Sequence, residues 1–309
     1  VGQEVNLFFM LKKSGEGDHL PKEVFPVASI LDGKAVASSI RQEVRAEVAS
    51  LKEKGIQPKL AVILVGDDPA SVLYARSKEK ACKNSGIDFE LHKFEETASE
   101  DEVLSKLAEL SSDETCHGIM VELPLPKHMN KEKIMMAVDP EKDVDGLSPI
   151  NRGRMFTKKE GLFPVTPQSC IEIMKRQGIT LEGKNVCLVG RGDTVGKPLI
   201  FLLLNENATV TVCHTRTKDL KKHTLAADII VAAAGRANLV TKDMVSPGTV
   251  VVDAGINDLD GKTVGDVDYA HVSEVAGAIS PVPGGVGSLT TALIQKNILK
   301  AIQLQGLLK

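Results

Sequence analysis

Residues 185–198, NVCLVGRGDTVGKP, run from an apolar, strand-like stretch into three glycines, Gly190, Gly192 and Gly196, and on into the helix-forming text LIFLLLNE. Glycines at a strand-to-helix turn permit a tight bend and close approach of a phosphate, while free N–H groups at the helix start favour negative charge. The spacing is GxGxxxG, one residue longer than the usual dinucleotide fingerprint. Taken alone, it fits a structural glycine turn and a dinucleotide site equally, and a mononucleotide or acyl phosphate suits the same turn.

The next strand-like run, ATVTVCHT, ends in Thr215, Arg216, Thr217 and Lys218 rather than in an acid placed for two ribose hydroxyls. With Arg191 in the first turn, these residues offer donors and positive charge to a 2'-phosphate, which favours NADP over NAD. Arginines solvating surface loops are the plainer alternative. His214 reads as a hydrogen-bonded strand-end histidine in preference to a catalytic base.

Outward from this turn the chain alternates. Downstream, DLKKHTLAA, DIIVAAAG and TVVVDAGI read as helix, strand and strand. Upstream, Val36, Ala37, Ile40, Val44, Val48 and Leu51 recur at three- and four-residue intervals and predict a helix over 33–54. KLAVILV, IDFELHKF and HGIMVEL read as strands, with helices between and after them. The pattern is α/β, with parallel sheets and helical crossovers. Residues 139–168 read as a long irregular connection rich in Gly, Pro and charge. A last helix over 289–307 either completes the second unit or crosses back to the first, and periodicity does not choose.

The whole chain has 309 residues, enough for two compact units. Its formal net charge is -3, with no Trp and only two Tyr, which gives no overall basic field for nucleic acid or anionic membrane and no aromatic platform for single strands. The N-terminal apolar patch is far shorter than the roughly 20 residues that cross a bilayer, and it lacks a clean signal-peptide pattern. Residues 1–29 read as an extension, either disordered or foreign to the mature protein, with a targeting remnant the less favoured alternative. Cys82, Cys116, Cys170, Cys187 and Cys213 are dispersed in sequence and read as reduced structural thiols, and no histidine or carboxylate spacing suggests a metal site.

Three further stretches carry chemistry. Tyr74 and Lys78 in YARSK fall on one helical face, where a lysine of tuned basicity can move a proton and a tyrosine can stack on a flat ligand. A surface lysine beside a packed tyrosine is the commoner meaning of such a pair. Glu122, in VELPLP, ends a strand before a proline turn, and Asp143 and Asp145 lie in KDVDG. These acids can bind amino groups, orient Lys78 or cap turns. PVPGGVG, residues 281–287, offers a constrained backbone wall for a planar ligand, or a purely structural loop.

Together, YARSK, VELPLP, PEKDVDG, GRGDTVGKP and PVPGGVG are far more specific than any one of them. With them the sequence resembles the bifunctional methylenetetrahydrofolate dehydrogenase/methenyltetrahydrofolate cyclohydrolase family, from about Ile30 to the C-terminus. The resemblance implies a two-domain, three-layer αβα protein with a Rossmann-like cofactor domain and a C-terminal helix returning to the first domain. It divides the chain into a folate-binding catalytic domain, 30–150 plus 281–309, and an NADP-binding domain, 151–280. It implies NADP+ as cofactor, a tetrahydrofolate derivative as substrate, no metal, and a homodimer acting in one-carbon metabolism and purine biosynthesis, in the cytoplasm or else an organellar matrix.

By the same resemblance, Lys78 would be the principal catalytic lysine, with Tyr74 stacked near the folate ring, Asp145 holding the pterin and Glu122 beside them. Val121, Leu123, Pro283, Gly284, Gly285, Val286 and Gly287 would complete the folate site. Gly190, Arg191, Gly192 and Gly196 would form the first cofactor loop, Thr215, Arg216 and Thr217 the ribose-phosphate neighbourhood, and Ile256 the nicotinamide contact. Three departures stand out. The family usually has glutamine where Glu122 stands, GRSxxVG where this chain has GRGDTVG, and GPMT where it has GSLTT. A carboxylate aimed at Lys78 favours the ammonium over the free amine and so opposes a general-base role. The implied activity is NADP-dependent oxidation of 5,10-methylenetetrahydrofolate, with hydrolysis of the methenyl product compromised. The alternatives are a dehydrogenase without effective cyclohydrolase, a Glu122 turned to solvent, or a noncatalytic folate- or nucleotide-binding regulatory protein.

Overall fold

A computed structural model of the chain describes residues 28–308. The expectation of a disordered extension over 1–29 therefore falls almost entirely outside the described residues. The first half runs β1 (Ser29–Ile30), α1 (Gly33–Glu53), β2 (Lys59–Val65), α2 (Pro69–Ser85), β3 (Asp88–Phe94), α3 (Glu100–Ser112), β4 (Gly118–Val121), α4 (Lys131–Ala137) and α5 (Pro149–Phe156). The second runs α6 (Val165–Arg176), β5 (Asn185–Val189), α7 (Gly196–Asn205), β6 (Thr209–Cys213), α8 (Leu220–Leu225), β7 (Ile229–Ala232), β8 (Val250–Asp253), β9 (Asn257–Leu259), β10 (Lys262–Val264), α9 (Tyr269–Val272), β11 (Ala278–Ile279) and α10 (Thr290–Leu304).

Two parallel sheets result. One has the order β3-β2-β4, and the other β1-β11-β8-β7-β5-β6, with β9 and β10 forming a separate antiparallel hairpin. Side chains alternate across each strand. On β5 and β7, Val186, Leu188, Ile229 and Val231 face the core shared with α1, α6, α7 and α10, while Cys187, Val189, Ile230 and Ala232 face a second core closed by Val267 and Val272. In the smaller sheet, Leu60 and Val62 of β2 join the first of these cores, and Ala61, Ile63 and Val65 pack on α3 and α4. This is the expected α/β architecture of helices on both sheet faces. β1, the first described strand, edges the larger sheet through β11.

The apolar face read in the sequence is the buried face of α1: Val36, Ala37, Ile40, Val44, Val48 and Leu51 are all buried, and the Asp32 carboxylate caps the helix by accepting from Lys34 and Ala35 N–H. α10 returns to the first unit. Its Asn297 Nδ2 donates to Val144 O at 2.8 Å, its Gln295 Oε1 accepts from Ser85 Oγ at 3.2 Å, and Gln305, just beyond its end, donates to His117 O at 3.0 Å. The stretch expected to be irregular contains α5 and the start of α6. Ser148 Oγ caps α5 by accepting from Asn151 N–H, and Pro149 pre-sets its first turn, so a Ser-Pro start outweighs the surrounding glycines and charges. Lys142 is buried in the same stretch, and its ammonium donates to Leu110, Ser111 and Asp113 carbonyls, supplying the cation that the last turn of α3 lacks.

Candidate active site

α2 carries the reacting pair. Pro69 opens the helix, the Asp68 carboxylate accepts from Ser71 N–H and Oγ, and Ser71 Oγ also donates to Leu123 O at 3.1 Å, tying the helix to the proline turn after β4. One turn on, Tyr74 is 57% exposed and Lys78 Nζ lies 5.7 Å from its ring centroid. The Lys78 ammonium donates to Glu122 Oε1 at 2.6 Å, and both side chains are buried. Glu122 therefore faces the lysine and not solvent. Its neighbour Val121 is packed in the core between β4 and α3, and Leu123 serves through its carbonyl.

In front of this pair lies a cleft of about 560 Å³. Tyr74, Lys78 and Asp145 line it from the first unit, and Asp253, Ile256 and the Pro283–Gly287 loop line it from the other side. Val121, Glu122 and Leu123 lie outside that lining. The loop is seated against the start of α1, where a Cβ on Gly33 would collide with the Gly285 carbonyl. The two aspartates of KDVDG divide their tasks. Asp143 is buried and accepts from Leu147 N–H, Ser148 N–H and Asn151 Nδ2, so it builds the entrance to α5. Asp145 faces the cleft and accepts no hydrogen bond from the described residues; burial, then the Asp143 charge, push its carboxyl up to about 7 against the pull of Lys78.

The glycine turn sits at the carboxyl edge of the larger sheet. Gly190 adopts φ 124°, and a Cβ there would collide with the Ala233 carbonyl, so the loops after β5 and β7 touch through a position open only to glycine. Gly196 is equally confined, since its Cβ would lie 2.7 Å from Arg191 Cα, whereas Gly192 borders open space. Arg191, Thr215 and Arg216 are exposed, and Thr217 Oγ1 accepts from His214 N–H at 2.9 Å. His214 Nδ1 in turn accepts from Arg216 N–H at 3.1 Å, the strand-end role read for it. Asp193 forms an ion pair with Lys197 at 2.6 Å and does not cap α7. None of these loop residues lines the 560 Å³ cleft; they follow the ends of β5 and β6.

Sequence reasoning passed over Asp253, which is buried at the end of β8 and lines the cleft. Burial pushes its carboxyl up to about 6, while backbone N–H groups of Asp266, Val267 and Gly255 hold it down. Nothing in VVVDAGIN marks that aspartate apart from an ordinary strand end. All five cysteines are buried and unpaired by disulfides; Cys187 and Cys213, distant in sequence, bring their sulfurs to 3.7 Å on adjacent strands. Among the described residues no group of three or more His, Cys, Asp or Glu is placed to hold a metal, and no helix is long and apolar enough to cross a membrane.

Comparison with known proteins accounts for nearly the whole described chain. Residues 31–145 match the model of a tetrahydrofolate dehydrogenase/cyclohydrolase catalytic domain, and residues 164–306 that of a tetrahydrofolate dehydrogenase/cyclohydrolase NAD(P)-binding domain. The sequence is 62% identical over 281 residues to a bifunctional protein FolD of Pelotomaculum thermopropionicum, covering 91% of this chain and 99% of the relative. The fold matches a bifunctional FolD methylenetetrahydrofolate dehydrogenase/cyclohydrolase from Campylobacter jejuni with TM-score 0.88 and 45% identity, over 90% of this chain and 99% of that one. It also matches a Trypanosoma brucei methylenetetrahydrofolate dehydrogenase-cyclohydrolase, solved with NADP cofactor and inhibitor, with TM-score 0.85 and 35% identity over 91% and 99% of the two chains.

Proposed function

The chain belongs to the tetrahydrofolate dehydrogenase/cyclohydrolase family, and from that premise we propose that it oxidises 5,10-methylenetetrahydrofolate with NADP+ and hydrolyses the methenyl product to 10-formyltetrahydrofolate. The observation that carries this reading is the cleft itself, which sets Tyr74, Lys78 and Asp145 opposite Ile256 and the Pro283–Gly287 loop. A phosphate-rich dinucleotide suits the residues present: Gly192 leaves backbone open to close approach, Gly190 allows the tight turn, and the Arg191 and Arg216 side chains are exposed and form no ion pair among the described residues. Bound there, NADP+ supplies the hydride acceptor. The chain's own task in oxidation is alignment, with Tyr74 offering a flat face to the pterin and the backbone wall fixing its plane.

Hydrolysis asks more, because water must lose a proton while the ring opens. Tyr74, Lys78, Asp145 and Asp253 are the titratable side chains lining the cleft; Asp253 is held by backbone N–H groups, and Lys78 is engaged by Glu122 at 2.6 Å. That ion pair favours a second reading of the hydrolytic half, in which the protein is a dehydrogenase without effective cyclohydrolase. A paired assay separates them: methylenetetrahydrofolate plus NADP+ yields NADPH in both, and only the bifunctional form accelerates decay of methenyltetrahydrofolate. Glu122→Gln is expected to raise hydrolysis about tenfold while changing oxidation little. No NADPH formation, where a control enzyme turns over, overturns the whole reading.

Residues 30–150 with 281–309 are assigned to the folate unit and 151–280 to the dinucleotide unit, a division supported by the amide contacts that bind α10 to the first unit. A homodimer is supported by a face on α5 and α7 where Phe156 is 67% and Leu204 50% exposed, beside β6 at the sheet edge. The bacterial relatives support a cytoplasmic role in one-carbon metabolism.

A further inference from the structure

Two loops stand on the proposed dinucleotide side: the one after β8, Ala254–Ile256, lines the cleft, and the one after β7, Ala233–Arg236, abuts the glycine turn, where a Cβ on Gly190 would meet the Ala233 carbonyl. β7 lies next to β5 and β8 next to β7, and β5 has β6 and β7 on opposite sides, the point at which α/β sheets bind ligands. Asp266, fully buried, joins these loops. Its Oδ2 accepts from Ala234 N–H at 2.6 Å and Gly235 N–H at 2.9 Å, and its Oδ1 from Arg236 N–H at 2.8 Å and Asn257 Nδ2 at 2.9 Å. Asp253 secures the other end of the second loop, with Oδ1 accepting from Gly255 N–H at 2.9 Å and Asp266 N–H at 3.0 Å. Ile256, 64% exposed on the cleft wall, is thereby flanked by Gly255, tied to one carboxylate, and Asn257, tied to the other.

We infer that Asp266 is a positioning residue for the dinucleotide: it locks the loop after β7 to the Ile256 segment, so that the cofactor's reacting end meets one preformed wall instead of two independent loops. This rests on the function proposed above. An ionised carboxylate is the side chain suited to the place, because it accepts from four convergent donors without presenting a donor of its own. Asparagine would turn an amide N–H₂ toward N–H groups. Gly255 packs so closely that a Cβ there would collide with the Asp266 carboxylate, which leaves the brace no slack. With its charge enclosed by donors and shielded from solvent, Asp266 also presents no bare anion to the phosphates. Preformed loops lower the ordering cost of binding.

Asp266→Asn and Asn257→Ala test the inference in the full-length protein, with NADPH binding read by its own fluorescence and KM measured for both substrates. The expected result is an NADPH Kd and a KM for NADP+ raised about tenfold in D266N and about threefold in N257A, with KM for methylenetetrahydrofolate within about twofold of the parent. A purely architectural role would lower the melting temperature while leaving the ratio of the two KM values unchanged, and that outcome overturns the inference. So does NADPH affinity equal to the parent in folded variants. Should D266N fail to fold, N257A decides alone, since it removes one contact and leaves the three backbone donors in place. A parent protein that binds no NADPH defeats the proposed function itself, whereas failure confined to the variants defeats only the brace.

Discussion

Glu122 and Asp145 beside Lys78, and Asp253 and Asp266 beneath the opposite wall, are all carboxylates drawn away from water around one cleft, and they are satisfied in different ways. Glu122 is matched by a single ammonium, and Asp145 accepts no hydrogen bond from the described residues while its carboxyl rises to about 7. Asp253 and Asp266 are met by backbone N–H groups, and even with burial Asp253 rises only to about 6. Backbone donors cannot leave or change charge, so they make a fixed support. A side-chain cation or an unpartnered carboxyl can exchange protons with a substrate, at the expense of stability.

The largest expected effect breaks the ionic set. Lys78→Met leaves the Glu122 carboxylate buried without a partner and should destabilise the protein by about 3–5 kcal/mol in urea unfolding, and it should abolish methenyl hydrolysis. Adding Glu122→Gln should recover most of that stability but none of the hydrolysis. A loss under about 1 kcal/mol for K78M alone would mean that the pair is wetter than its burial implies.

Asp145→Asn probes the unpartnered group and has the opposite sign. Its carboxyl sits at about 7 in the folded protein, against about 3.9 in an unfolded chain. The unfolded chain therefore loses the proton first, and this group's contribution to stability declines as pH rises from about 4 to about 7. The asparagine variant should be more stable than the parent by about 2–4 kcal/mol at pH 8, with the gain fading toward pH 4, and it should bind folate more weakly. An equal gain at both pH values would show that ionisation is not the cause. The smallest effect belongs to the braced set: Ser280→Ala removes the hydroxyl that accepts from Asp253 N–H at 2.8 Å and should lower unfolding free energy by about 1–2 kcal/mol.

Much of the first set was legible in the sequence because its spacing is local. Tyr74 and Lys78 share a helix face by period alone, and the Glu122 departure was visible as a charge in a motif that usually carries an amide. The second set was not legible. Asp266 collects N–H groups from positions 234–236 and an amide from 257, and backbone donors leave no mark in the identity of the residues that supply them. α5 was hidden for a related reason, since its cap lies among glycines and charges that read as loop.

NVCLVGRGDTVGKP determined by itself that a buried strand turns through glycine into a helix, because apolar period and backbone freedom are properties of neighbouring residues. The apolar stripe of α1 was determined in the same way. Where α10 docks, which aspartate of KDVDG faces the cleft, and which loops Asp266 joins were decided by the tertiary structure. Each depends on polar groups far apart in the chain finding one another, as Asn297 finds Val144 across 153 residues, and such pairings exist only after the sheets have formed.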